Sequence, residues 1–230
     1  MAAQNPPIPA ASTEPWVVYY YAGFSGRGHA IEAMLAYAGE KYVLKGKADL
    51  IKDSKGTCFA PAAVGRGGKV ISQLAASLQF IGAELGYSPP YSKTYEGLKT
   101  ALDIADVWSE MYAKRKGAKS WAEVDEWIEG RLNNWLTCLT NSINAFGDDG
   151  PFIFGGKRPS YVDFQMYNVL RNFDGLFGAK RLKRVGELAP KVVRVYEALH
   201  TSKELATFIK TERPILYASV SADGKMPFNS

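Results

Sequence analysis

A run of three tyrosines holds the strongest candidates for chemistry in this sequence. The stretch 16–21 reads Trp-Val-Val-Tyr-Tyr-Tyr and is followed by the glycine-rich turn 22–28. Because these side chains fit a pleated, buried surface, the stretch is predicted to be a strand. Residues 29–39 then repeat apolar side chains at helical spacing and end at a glycine, which predicts a helix.

This order brings the end of a strand beside the start of a helix. Unpaired backbone amides and the positive end of the helix dipole favour an anion at such a place. A tyrosine that ends the strand would bring its phenol close to that anion. The plainer interpretation is that the tyrosines are core or sheet-surface residues, and the pattern alone leaves both interpretations open.

The segment from Tyr21 to Ile31 resembles the opening of the cytosolic glutathione transferases. It reads Tyr-Ala-Gly-Phe-Ser-Gly-Arg-Gly-His-Ala-Ile. It is similar to the tyrosine-type, sigma-like motif, which has a tyrosine, a turn with Arg-Gly-Arg, then Glu-Pro-Ile-Arg and a leucine-rich helix. Counting back ten residues from Ile31 selects Tyr21 over Tyr19 and Tyr20. The resemblance implies that Tyr21 and Arg27 are the catalytic residues.

The implied chemistry is activation of the glutathione thiol. A free thiol has a pKa near ~8.5 and is only a few per cent thiolate at neutral pH, although the thiolate is the nucleophile. Lowering that pKa by about two units requires about 2.7 kcal/mol. A hydrogen bond from the Tyr21 phenol, supported by Arg27 and by helix-end amides, can supply this energy. Ser25 is the alternative hydroxyl donor, because other classes use a serine nearby.

The composition argues against several other kinds of site. The chain has 230 residues, 47% of them hydrophobic, which is enough for one large core or two compact domains. With two histidines and two cysteines and no Cys-x-x-Cys pair, no metal site, Ser-His-Asp triad or disulfide framework is expected. A thioredoxin-type reductase is disfavoured because the turn 21–28 has no cysteine. The net charge of +5 is modest, and the basic cluster 180–184 is interpreted as a solvated face, so no nucleic-acid partner is expected.

A cytoplasmic protein is expected from the absence of targeting signals. Residues 1–15 contain four prolines and are predicted to be a flexible leader. They lack the basic start and apolar centre of a signal peptide, and the first arginine of the chain is Arg27. No run approaches the roughly 18 apolar residues of a membrane span.

Hydrophobic patterning predicts an α/β unit followed by helices. The segment 47–55 is predicted to be a short helix or loop, residues 62–72 a hairpin and residues 73–86 a helix. The resulting order β-α-β-α-β-β-α is thioredoxin-like, although patterning alone leaves other α/β arrangements open. Apolar stripes beyond residue 93 predict an all-helical bundle. The predicted divisions are a leader (1–15), a thioredoxin-like glutathione-binding domain (16–86), a linker (87–93), an all-helical domain (94–212) and a C-terminal tail (213–230).

The segment 155–164 carries a second resemblance to the same family. It reads Gly-Gly-Lys-Arg-Pro-Ser-Tyr-Val-Asp-Phe. It is similar to the Gly-x-x-x-(Ser/Thr)-x-Ala-Asp segment that begins the buried helix of the glutathione transferase helical domain, with Val162 in place of alanine. Ser160 and Asp163 have the spacing of a capping box. The two resemblances together imply the glutathione transferase architecture over residues 16–212.

The resemblance also implies which residues bind glutathione. Pro61 matches the cis-proline of the family, and Ala60 matches the residue whose backbone pairs with the cysteinyl unit. Lys52, nine positions before the proline, matches a lysine that meets the glycyl carboxylate. Gln73, preceded by Ser72, matches the glutamine that contacts the γ-glutamyl end.

Further contacts and departures follow from the same comparison. Asp106 or Glu110 would reach the γ-glutamyl ammonium group bound to the partner subunit. Leu74 stands where the pattern has a serine that holds the γ-glutamyl carboxylate, and losing such a charge-assisted hydrogen bond costs about 1.5–3 kcal/mol. The tryptophan expected near Ala48 is missing, and Glu-Pro-Ile-Arg is replaced by His-Ala-Ile-Glu at 29–32.

The resemblance implies a homodimeric detoxification enzyme that conjugates glutathione to small hydrophobic electrophiles. Isomerase or peroxidase activity would use the same thiolate. The alternative is a protein that keeps the fold, has lost part of the site and serves in a larger assembly. The apolar residues predicted to hold the electrophile are Phe24, Trp108, Met111 and Tyr112.

Overall fold

The computed structural model describes residues 13–147 and 150–215. Most of the predicted leader (1–15) and C-terminal tail (213–230) therefore lies outside the described residues. The chain begins with the predicted thioredoxin-like element order, which is confirmed. These elements are β1 (Trp16–Tyr19), α1 (Gly28–Tyr37), β2 (Tyr42–Lys45), α2 (Lys47–Asp53), β3 (Ala63–Arg66), β4 (Lys69–Ser72) and α3 (Leu74–Leu85).

The four strands form one mixed sheet in the order β2-β1-β3-β4. Strands β1 and β2 are parallel, so they need a crossover connection, which α1 supplies. Strands β3 and β4 form a tight antiparallel hairpin, in which Gly67 and Gly68 adopt positive φ angles of 57° and 72°. Val18, in the central strand, pairs with Leu44 on one side and Val64 on the other, and it is fully buried.

The rest of the described chain is helical, as predicted. After a single 3₁₀ turn at Tyr91–Lys93 come α4 (Thr94–Gly117), α5 (Trp121–Trp127), α6 (Asn133–Phe146), α7 (Tyr161–Phe177), α8 (Ala179–Leu188), α9 (Pro190–His200) and α10 (Ala206–Thr211). The apolar stripe that runs from Val124 to Ile143 spans α5, a π-helical turn (Ile128–Leu132) and α6. Among the helices of residues 13–147 and 150–215, none combines the length and apolar character needed to cross a membrane.

Helix α7 is the centre of the helical half. Its first turn carries the predicted capping box: Oδ2 of Asp163 accepts hydrogen bonds from the backbone amide and the hydroxyl of Ser160, both at 2.7 Å. Its Oδ1 accepts a bond of 2.8 Å from the amide of Ile153. The helix packs against α1, α3, α4, α8 and α9, and one hydrophobic core runs from the sheet into the bundle. The predicted domain limits stay predictions.

Candidate functional site

The turn between β1 and α1 is built around the ring of Tyr20. Its phenol oxygen accepts a hydrogen bond of 3.0 Å from the backbone amide of Arg27, and the side chain is buried. Glycines are needed above this ring, because a Cβ would lie 2.3 Å from the Tyr20 hydroxyl at Gly26 and 2.4 Å from its Cγ at Gly28. Burial raises the pKa of Tyr20. Tyr20 is therefore a protonated phenol that packs under the turn and accepts a hydrogen bond from its backbone.

Tyr21 lies on the outside of the same turn. Its side chain is 44% exposed, and its ring stacks on that of Phe24 with the centroids 5.4 Å apart. Strand β1 ends at Tyr19, two residues before the predicted end. Because the chain leaves the strand there, Tyr20 faces inward and Tyr21 outward.

The main cleft near this turn lies between α3 and α4 and has a volume of about 680 Å³. Residues from the α/β unit and from the helical half contribute to its walls. They include four of the predicted glutathione-binding or catalytic residues, one predicted pocket residue and the alternative contact Asp106. These are Arg27, Ala60, Pro61, Gln73, Trp108 and Asp106.

The amino end of α3 opens into this cleft. Gln73 precedes the helix with a positive φ of 70°, and no side chain caps this end. Leu74, Ala75 and Ala76 form the first turn of the helix and line the cleft. Backbone amides in the first turn of a helix favour a carboxylate by hydrogen bonding and by the helix dipole. This end of the cleft is thus suited to an anion, although Leu74 offers no hydroxyl.

The opposite wall of the cleft is largely apolar. Leu98, Leu102 and Ala105 lie on the face of α4 that meets the cleft, and Val169 comes from α7. Trp108 stacks on Tyr112, with the ring centroids 4.8 Å apart. The guanidinium of Arg27 reaches across to α4, where it donates a 3.3 Å hydrogen bond to the hydroxyl of Ser109. The cleft therefore joins a polar end to an apolar wall.

Several predicted residues do not line this cleft. Lys52 is exposed on α2, and Ser72 lies in β4 opposite Ala63, so their roles stay predictions. Met111 is also absent from the lining of the cleft and its side chain is fully buried in the core, so its place in the electrophile pocket stays a prediction. Met111 lies one helical turn beyond Trp108 on α4, and of these two residues Trp108 reaches the cleft.

Other predicted residues have different partners from those expected. Tyr112 donates a 3.1 Å hydrogen bond to Asn172, and Glu110 binds Arg131 through both carboxylate oxygens. Ser25, the alternative hydroxyl donor, is fully buried and accepts a 3.0 Å bond from Arg171. The cis bond of the described residues joins Pro61 to Ala62, so Pro61 is not the cis-proline predicted from the spacing.

A buried ionic cluster beneath the turn was not predicted from the sequence. Nε2 of His29 lies 2.9 Å from Oε2 of Glu212, which also accepts a 2.7 Å bond from Nε of Arg171. Burial lowers the pKa of His29 to about 4, against the opposing effect of Glu212. Burial acts to raise the pKa of Glu212, but the hydrogen bonds from His29 and Arg171 outweigh it and lower the pKa to about 2. The departure of residues 29–32 from the family motif was the one signal of this cluster.

His29 should make the protein less stable in mild acid. An unfolded histidine takes up a proton near its ordinary pKa of 6.5, whereas the folded His29 does so only near 4. Acidification from 6.5 to 4 therefore favours the unfolded chain, by about 2–3 kcal/mol. Urea unfolding at a series of pH values should show this loss in the wild type and a flatter profile in His29→Gln. The exposed His200, changed to glutamine, is the matched control, and equal profiles for wild type and His29→Gln would contradict the prediction.

The α/β unit, the helical half and the cleft between them define the glutathione transferase fold. Residues 102–212 match the family model described as the glutathione S-transferase C-terminal domain. None of the curated proteins matches the sequence. The matched segment is most of the helical half, and it is the part of this chain whose sequence is similar to that family.

Solved structures share this fold at low sequence identity. The Pi-class glutathione S-transferase of Onchocerca volvulus has 16% identity and a TM-score of 0.70, with 92% of this chain and 100% of that chain covered. The structure of NaGST-2 has 16% identity and a TM-score of 0.67, with 88% and 98% covered. The prostaglandin synthase D of Nilaparvata lugens also has 16% identity, with a TM-score of 0.61 and 88% and 100% covered.

Proposed function

We propose that this protein is a tyrosine-type, sigma-like glutathione transferase, acting in the cytoplasm on small hydrophobic electrophiles. The observation that carries the proposal is the convergence of separate segments on one cleft. Arg27, Ala60, Pro61 and Gln73 come from three loops and meet there, although only the resemblance had linked them. The cleft also has an apolar wall on α4, as an electrophile pocket requires.

The proposed binding mode places the γ-glutamyl end of glutathione at the start of α3. Its carboxylate would accept hydrogen bonds from the first-turn amides of α3, and Gln73 would contact the same end of the peptide. The backbone of Ala60 would pair with the cysteinyl unit. Lys52 would meet the glycyl carboxylate, with Ser72 flanking the γ-glutamyl site.

The proposed chemistry needs few groups. The thiol gives its proton to solvent, and the phenol of Tyr21 donates a hydrogen bond to the resulting thiolate. Arg27 adds positive charge nearby. The sulfur then forms a bond to the electrophilic carbon while the leaving group departs, or while a double bond accepts the electron pair. Phe24 and Tyr112, next to Tyr21 and Trp108 in their ring stacks, are the further candidates for contact with the electrophile.

The dimer implied by the family is part of the proposal. Among the described residues, three aromatic side chains are strongly exposed: Phe59 (81%) before β3, Tyr91 (83%) on the 3₁₀ turn and Tyr95 (85%) on α4. Tyr95 borders an apolar groove of about 820 Å³ between α4 and α6. Burying such surfaces against a second copy would stabilise a homodimer. Sedimentation should therefore give twice the mass of the chain.

A second candidate is supported by two observations at the site. Leu74 lines the cleft where the family pattern has serine, and Tyr21 is not part of the cleft wall. A protein of this fold without catalysis, serving in a larger assembly, would have the same features.

Titration calorimetry with glutathione separates the two candidates. We expect wild-type binding in the micromolar to low-millimolar range and a gain of about tenfold in Leu74→Ser, because the new hydroxyl adds a charge-assisted hydrogen bond. Ala83→Ser, on an exposed face of the same helix, is the matched control. Absence of binding in the wild type, with affinity appearing in Leu74→Ser, would favour the assembly role. Absence of binding in both would refute the proposed peptide site.

A further inference from the structure

Residues 212–215, here called the C-terminal strap, run along the turn that carries Tyr21. The amide of Ser25 donates a 2.7 Å hydrogen bond to the carbonyl of Pro214, and Ser25 and Ile215 form a parallel β-bridge. The guanidinium of Arg213 donates to the carbonyl of Tyr21. The strap thus binds the backbone of the turn at two points, the carbonyl of Tyr21 and the amide of Ser25.

Buried polar side chains of α1 and α7 bind the charged side chains of the strap. Glu212 is held by His29 and Arg171, and Arg213 forms an ion pair with Glu32, which is 5% exposed. Arg171, on the central helix α7, also donates to the carbonyl of Arg213 at 3.2 Å and to the hydroxyl of Ser25. Because Arg171 binds both the strap and the turn, the three segments form one hydrogen-bonded unit.

The partners of the strap lie where the sequence departs from the pattern of the family. Where that pattern has Glu-Pro-Ile-Arg, this chain has a histidine at 29 and a glutamate at 32. The strap offers the complementary groups in consecutive positions, Glu212 to His29 and Arg213 to Glu32. The altered helix start and the strap are therefore matched to each other.

The turn is exposed and contains glycine, so its backbone is costly to order. It contains Gly23, where even an added Cβ would meet no atom within 4 Å, and Ala22 and Gly23 are exposed. Ordering an exposed, glycine-containing segment costs backbone entropy. The hydrogen bonds that join the strap to Tyr21 and Ser25, on either side of this segment, offset that cost. Tyr21 lies at one of these bonded ends.

We infer that the C-terminal strap is a fixed part of this turn and that Arg213 is a positioning residue for Tyr21. The consequence for Tyr21 rests on the proposed function, whereas the order of the turn does not. Without Arg213, the strap should release the turn, and Tyr21 should lose its fixed place. Glutathione binding should persist, because Arg213 is not among the residues that line the cleft.

Hydrogen exchange at two amides tests the strap without any assay of activity. The Ser25 amide reports attachment of the strap, and the Arg27 amide, bonded to Tyr20, reports order in the turn. Removing Arg213 alone would leave the buried Glu32 carboxylate without its ion-pair partner, so Glu32→Gln is compared with the double variant Glu32→Gln/Arg213→Met. We expect exchange about tenfold faster at both amides in the double variant. The Tyr20 amide, bonded to Lys45 in the sheet, should not change.

Lys210→Met, which removes an exposed cation from α10, is the matched control for loss of charge. Unchanged exchange at Ser25 in the double variant would overturn the inference. Faster exchange at Ser25 with unchanged exchange at Arg27 would also overturn it, because the strap would then not order the turn.

Kinetics test the consequence at Tyr21. In the double variant, kcat for thiol conjugation should fall about tenfold and the pH profile should move upward, while the glutathione affinity by calorimetry stays within a factor of two of Glu32→Gln. A loss confined to affinity would contradict a positioning role. If the wild type conjugates no electrophile, the proposed function fails, and the exchange data alone then decide whether the strap orders the turn.

Discussion

Tyr21→Phe is expected to lower kcat/KM for glutathione conjugation by about 10–100-fold and to move its pH profile upward by about one to two units. The phenol would donate a hydrogen bond to the thiolate, and a hydrogen bond to a charged group contributes about 1.5–3 kcal/mol. Phenylalanine keeps the ring stack with Phe24 and removes only the hydroxyl. Conjugation rates across the pH range, with ultraviolet difference spectra of the bound thiolate, measure both effects.

Two tyrosine variants serve as comparisons for that result. Tyr91→Phe changes an 83% exposed side chain on a 3₁₀ turn and should leave the kinetics unaltered. Tyr20→Phe removes the acceptor of the Arg27 amide, so it should cost stability at the turn. A kinetic loss in Tyr20→Phe with normal stability, together with an active Tyr21→Phe, would transfer the proposed role to Tyr20.

Asp163→Asn is expected to lower the free energy of unfolding by about 2–3 kcal/mol and Tm by roughly 5–10 °C. Both carboxylate oxygens accept hydrogen bonds, Oδ1 from Ile153 and Oδ2 from Ser160. An asparagine has one acceptor oxygen, so its amide nitrogen must face a backbone N–H in a site that is fully buried. Urea and thermal unfolding measure the loss.

Ser160→Ala is the comparison variant for Asp163→Asn. It removes one hydroxyl donor and leaves the carboxylate with both backbone donors, so it should cost only about 1 kcal/mol. Asp163→Asn places an amide nitrogen against a backbone N–H in a buried site, whereas Ser160→Ala does not. If Asp163→Asn costs no more than Ser160→Ala, the capping box does not hold the start of α7 in the way described.

The fold followed from the sequence because its local signals agree. The apolar run 16–21 predicted β1, and helical spacing over 29–39 predicted α1. The glycine-rich cluster 65–68 predicted the hairpin, and Ser160 with Asp163 predicted the start of α7. Each signal acts within a few residues, where backbone propensity, turn geometry and capping are decided locally. The apolar stripes beyond residue 93 predicted helices, and the described chain there is helical.

The candidate site could be predicted from the sequence only in part. Spacing relative to a family motif selected Arg27, Ala60, Pro61 and Gln73, and these residues lie together at one cleft. Periodicity does not tell which side chains of α4 reach the cleft: Trp108 lines it, whereas Met111 is fully buried in the core.

The sequence by itself determined the order of the elements, the helix start at Ser160 and the set of candidate residues around the glycine turn. Only the tertiary structure decided that Tyr20 faces inward and Tyr21 outward, that Ser25 is buried, and that the strap reaches the turn from almost two hundred residues away. Arg213 and Tyr21 meet because the core around α7 brings both chain segments to one place. Contacts between segments so far apart depend on how the helices pack, and this packing cannot be predicted from local sequence patterns.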